Sequence, residues 1–165
     1  MSDYPALLSA EDERALTAEL AWNALSVTAP DELPIFEETA ADYFADPRRS
    51  LSAVRGDEAV GFGLELALIT PTVLAVAAAA LHALGAIVAN AVKSEGEPVA
   101  RKLIRRLFRL PDRDGHPAEP DPPPLSIEQA RHVRSAAYNR AVALGMSHPE
   151  AGVLADAIAG RLLVA

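Results

Sequence analysis

The chain has 165 residues, a formal charge of −8, 50% hydrophobic content and no Cys. The absence of thiols excludes cysteine nucleophiles, zinc ribbons, iron–sulfur ligation and disulfides, and half-apolar composition excludes wholesale disorder. The acidic balance argues against nucleic-acid binding, which needs positive charge concentrated against the phosphates.

The length suits one domain with a single core. Ala, the strongest helix former, occurs 34 times, and the alternating Val, Ile, Thr and aromatic runs that mark strands are scarce. The predicted fold is all-α: a compact bundle of about five to six helices around a hydrophobic, Ala-rich central helix, with a C-terminal αα-hairpin. The Ala-rich usage also suggests a high-GC bacterial coding sequence. The opening MSDYPALLSAEDERALTAEL has neither a basic n-region nor an apolar h-region, which predicts synthesis into the cytoplasm without a secretory leader.

Ser9 with Asp12 reads as a capping box starting a helix that runs to about Ser26, with Glu11, Asp12 and Glu13 in the turn where the helix dipole favours negative charge. Leu16, Leu20, Ala24 and Val27 form one apolar face and Ala15, Ala18, Trp22 and Leu25 another, which predicts cover on two sides. A short helix follows over Pro34 to Ala45, carrying Ile35, Phe36, Tyr43 and Phe44, and Asp46-Pro47 stops it. Residues 48–58 read as a polar connection with a turn of helix around Leu51.

Between Leu66 and Val92 there is no Asp, Glu, Lys or Arg. Thr70 as N-cap and Pro71 at the first helical position begin the central helix, about 71–93. Its length would let it span a bilayer, but its eight Val, Leu and Ile residues between Val73 and Val92 supply only on the order of −2.5 to −5 kcal/mol towards insertion. Ala-rich helices also suit the centre of a soluble bundle, where small side chains allow close approach. A basic amphipathic helix follows at about 98–110. Val99, Leu103, Ile104, Leu107 and Phe108 form its apolar stripe; Arg101, Lys102, Arg105, Arg106 and Arg109 form its cationic face.

Residues 111–125 are a Pro-rich linker separating this core (1–110) from the hairpin (126–165) that packs on it. Ser126/Gln129 and Ser147/Glu150 are capping boxes, and Gly145 supplies the left-handed cap between the two helices. The first buries Ile127, Ala130, Val133, Ala137, Tyr138, Ala141 and Leu144; the second buries Ala151, Leu154, Ala155, Ile158 and Leu162.

Sites of chemistry do not emerge from these residues. His82, His116, His132 and His148 have no metal-ligand spacing. Gly61-Phe62-Gly63 lacks the third Gly and the Lys-Ser/Thr of a phosphate loop; Asp112-Arg113-Asp114-Gly115 lacks the ligands of a calcium loop and reads as a turn. The hairpin has the outline of a helix-turn-helix, but its second helix offers no base-reading side chain near its start. No catalytic residue, metal site or cofactor is therefore predicted.

The expected function is a non-enzymatic helical protein-interaction or regulatory module, binding a protein partner or a second copy of itself and no nucleic acid. The alternative is a conditionally membrane-inserting effector, in which the basic helix docks on an anionic surface and the 71–92 helix inserts. In both, Arg101, Lys102, Arg105, Arg106 and Arg109 are the candidate contacts. His82, expected as a neutral core histidine, is the candidate pH-sensitive group. The expected location is cytoplasmic, peripheral at a membrane under the alternative.

Overall fold

The computed structural model describes residues 9–54, 68–95 and 125–163. These contain six α-helices, one 3-10 turn and no strand: α1 Ala10–Thr28, the 3-10 turn Pro30–Ile35, α2 Phe36–Ala45, α3 Pro47–Val54, α4 Thr70–Glu95, α5 Ile127–Ala143 and α6 His148–Leu163. The all-α bundle read from the sequence is the fold. The basic 98–110 segment, the Gly61 to Gly63 turn, the Asp112 to Gly115 turn and most of the Pro-rich linker lie outside the described residues.

α1 starts on the expected box: the Ser9 hydroxyl accepts the Asp12 N–H at 3.1 Å, and the Asp12 carboxylate accepts the Ser9 N–H at 3.2 Å. Its buried side chains, Leu16, Thr17, Leu20, Ala21, Ala24 and Leu25, form one broad face towards α4 and α6. The predicted two-sided cover fails. Ala15 is exposed and Trp22 is 41% exposed, because the turn and α2 cover only part of the far flank; Val27, on the packed face but one residue from the end of α1, is 67% exposed. The next helix also starts later than predicted. Pro30 and Pro34 both lack a backbone donor, so 30–35 wind as a 3-10 turn, and α2 begins at Phe36. Phe36, Ala40 and Tyr43 point inward at helical spacing.

Asp46-Pro47, read as a stop, is also a start. Asp46 ends α2 through its N–H to Asp42, and its carboxylate accepts the Arg49 N–H at 3.1 Å. With Pro47 at the first helical position, this makes α3 a two-turn helix rather than a connection.

α4 packs against α1, α2, α3 and α5 and touches α6. Residues 70–77 are buried without interruption. Beyond them burial narrows to Ala80, Leu81, Leu84 and Val88 on one side, while His82, Gly85, Asn90 and Lys93 face solvent. The central helix is thus enclosed at its root and one-sided along its outer half.

The hairpin α5–α6 lies on α4 and α1. Gly145 has φ +97°; its N–H bonds Val142 O at 3.0 Å and the Met146 N–H bonds Ala141 O at 3.1 Å, the paired bonds of a Schellman termination. Val133, Ala137 and Ala141 share one core with Ala151, Leu154, Ala155, Ile158 and Leu162, and Ala130 is buried as well. Ile127, predicted as core, is 71% exposed, since helical spacing puts it on the flank of Arg131 and Arg134 rather than on the face of Ala130, Val133 and Ala137. Leu125, one residue before the Ser126 cap, is buried.

Candidate functional site

Three polar arrangements join elements distant in sequence. The first is at the root of α4. Glu32, in the 3-10 turn, accepts the Ile69 N–H on Oε1 at 2.9 Å; its Oε2 accepts the Thr70 N–H at 2.9 Å and the Thr70 hydroxyl at 2.6 Å. The Val73 N–H bonds Ile69 O at 2.9 Å, so Ile69, not Thr70, occupies the cap position, and Thr70 is the first helical residue. The carboxylate satisfies donors that every helix leaves open at its start, and its charge sits at the positive end of the helix dipole. Thr70 itself is fully buried.

The second involves His82. It is not a core histidine: its side chain is 75% exposed, with Nε2 3.4 Å from the Glu13 carboxylate of α1. Burial on α4 falls to one side at this turn, and position 82 lies on the other.

The third ties the hairpin together and to α1. Arg134 on α5 donates to Asp156 on α6, and this bond holds the Asp156 carboxyl below the usual carboxylate range. The Tyr138 hydroxyl and His148 Nδ1 are 2.7 Å apart with the rings stacked. Arg161 on α6 donates to Glu19 on α1 at 3.2 Å. At the start of α6, Ser147 donates its N–H and hydroxyl to Glu150, at 3.1 and 2.6 Å, which lowers the Glu150 pKa. On the inner face of α2, burial pushes the Tyr43 phenol up, partly offset by the charge of Arg140.

The apolar surface has its own centre. The Trp22 ring meets the buried Phe36 ring edge-on, centroids 5.2 Å apart and planes at 85°. Ile35, beside Phe36 in sequence, is 40% exposed. Along the sequence, Pro30 to Asp46 holds six carboxylates and no Lys or Arg.

Among the described residues, no three His, Asp or Glu side chains are grouped to hold a metal ion. Arg101, Lys102, Arg105, Arg106 and Arg109, the candidate contacts, lie outside the described residues; His82, the candidate pH-sensitive group, is placed beside Glu13. Thr70–Ala91 is long and apolar enough to cross a membrane, and about two thirds of its most apolar stretch is buried in the bundle; the core helix of a soluble protein has the same character. Sequence reasoning missed Glu32, which acts across 37 residues, and the exposure of Trp22 and Ile35. Glu32 left one indirect signal: α4 has no acidic residue in its first turn. No protein-family model matches the chain, and no curated protein or solved structure matches it significantly.

Proposed function

We propose that the chain is a non-enzymatic helical interaction or regulatory module of the cytoplasm, binding a partner protein or a second copy of itself. The supporting observation is Trp22: a large aromatic side chain left 41% exposed while its ring packs edge-on against Phe36. Rigid, partly exposed aromatic anchors are the side chains that dominate binding energy at protein interfaces. Covalent cross-linking of the tagged chain in its own host, followed by hydrogen-exchange mapping of any partner or dimer, tests the reading. A specific partner or a dimer whose footprint protects the bundle surface is the expected result. A strictly monomeric chain that cross-links to nothing refutes it.

A second reading, conditional membrane insertion, is favoured by one feature, the membrane-length apolar α4. Flotation with anionic vesicles between about pH 5 and 8, the histidine range, tests that reading; no binding at any pH ends it.

A further inference from the structure

We propose that the Glu32 clamp is the lock that keeps α4 in the bundle, and that α4 reaches a bilayer by parting from the 3-10 turn at its root while the hairpin stays folded. This rests on reading the chain as conditionally membrane-inserting, and it gives that insertion its point of control.

Apolar packing does little to choose between the two places α4 can occupy. Lipid chains are as apolar as the side chains of the core, so a bilayer matches most of the contacts that Val73, Leu74, Val76, Leu84 and Val88 make in the bundle. Polar ties do choose, because hydrocarbon offers no equivalent. Among the described residues, side chains of other elements make such ties to α4 at two places. The His82–Glu13 pair is exposed on both sides and contributes little in water. Glu32 instead holds the end of α4 where residues 70–77 are buried without interruption, through three hydrogen bonds to Ile69 and Thr70.

The same geometry makes the lock releasable. The membrane-length stretch begins at Thr70 and runs 22 residues, about 33 Å as a helix against a hydrocarbon thickness of about 30 Å. On insertion Ile69 and Thr70 lie at headgroup level. There water and phosphate oxygens accept the N–H groups that Glu32 gives up, so none of the clamped donors is stranded in hydrocarbon. α4 has no acidic residue in its own first turn. It therefore leaves the balancing carboxylate behind on the turn.

A substitution raises vesicle partitioning only if the contact it removes is broken in the inserted state. The full chain is partitioned onto vesicles of phosphatidylglycerol and phosphatidylcholine at pH 7. Glu32→Gln is compared with Glu37→Gln, which makes the same change of charge at an exposed position of α2. Two hairpin variants, Gly145→Ala and Ile158→Val, are compared with wild type. The expected partition coefficient of Glu32→Gln is about tenfold above that of Glu37→Gln, and the hairpin variants stay within about twofold of wild type. Glu32→Asp, which keeps the charge and shortens its reach, should rise about threefold; it carries the test if Glu32→Gln does not fold. Helical circular dichroism and urea midpoints confirm that each variant is folded. If Glu32→Gln partitions no better than Glu37→Gln, the clamp is not the lock and the proposal is overturned. If the hairpin variants rise as far as Glu32→Gln, α4 escapes through unfolding of the whole chain; the proposal falls and the membrane reading stands. Absence of vesicle binding by every form of the chain ends the membrane reading itself, and the lock with it.

Discussion

Removing the Glu32 side chain tests how the apolar α4 is anchored. Glu32→Ala deletes three hydrogen bonds to a carboxylate and leaves the buried Thr70 hydroxyl and N–H without that acceptor. Hydrogen bonds to charged groups contribute about 1.5–3 kcal/mol each, and an orphaned buried polar group costs about 1–3 kcal/mol; the helix dipole adds about 0.3–1 kcal/mol. Glu32 is only half-buried, so water replaces part of the loss, and the expected net cost is about 2–4 kcal/mol. Glu32→Gln keeps one acceptor but loses the charge, and should cost about half as much. With a slope of about 2 kcal/mol/M in urea, the Glu32→Ala midpoint should fall by about 1–2 M at unchanged slope. Combining Glu32→Ala with Thr70→Val should show a coupling of about 1–2 kcal/mol. Glu37→Ala, a surface change on α2, should stay within about 0.5 kcal/mol of wild type. If Glu32→Ala unfolds within that same margin, the clamp does not anchor α4 and the reasoning is wrong.

The remaining predictions concern the hairpin. Gly152 and Gly160 lie inside α6, and a methyl group added at either meets no atom within 4 Å, so Gly152→Ala and Gly160→Ala should each stabilise the fold by about 0.5–1 kcal/mol in urea unfolding. Gly145→Ala should do the opposite, costing about 1 kcal/mol, because φ +97° is unfavourable for a side chain despite open space around it. Asp156→Asn should remove the Arg134 contact. The folded-state pKa of Asp156 is depressed, so its contribution is complete above the unfolded carboxylate value of about 3.9 and is lost as pH falls through the folded value. The wild-type advantage, about 0.2–1 kcal/mol for so exposed a pair, should therefore be present at pH 7 and shrink below about pH 4. An advantage that grows on acidification contradicts the assignment.

What could be read from the sequence was local. The Ser9, Ser126 and Ser147 boxes and the Gly145 termination involve residues three to five apart, and all four form. The stripe of α6 follows from helical spacing alone. Failures occurred where a neighbour decided the outcome. Val27 fits the pattern of buried residues but stands one residue from the end of α1, and Ile127 lies on the outer flank of its helix beside Arg131 and Arg134. His82 lies in an uncharged run that reads as core, yet α4 is covered on only one side at that level. Asp46-Pro47 carried the signature of a helix start, hidden because the same pair ends the preceding helix. Glu32 has no local signature: its role depends on the turn after α1 being folded against the beginning of α4. Trp22 was assigned to cover that α2 provides only in part.

The order in which the chain is made gives the enclosure of α4 a further meaning. α4 is shielded in part by α5, and α1 is bound to α6 through Glu19 and Arg161. Both covering helices are synthesised after α4. At about 5–20 residues per second, the ribosome needs roughly 3–14 s to pass from Glu95 to Leu163. Throughout that interval a membrane-length apolar helix is finished while its shield is not. Nascent chains at this stage are the form most exposed to chaperones, bilayers and one another, and any change that delays the hairpin lengthens that vulnerable period without touching a single contact of the mature protein.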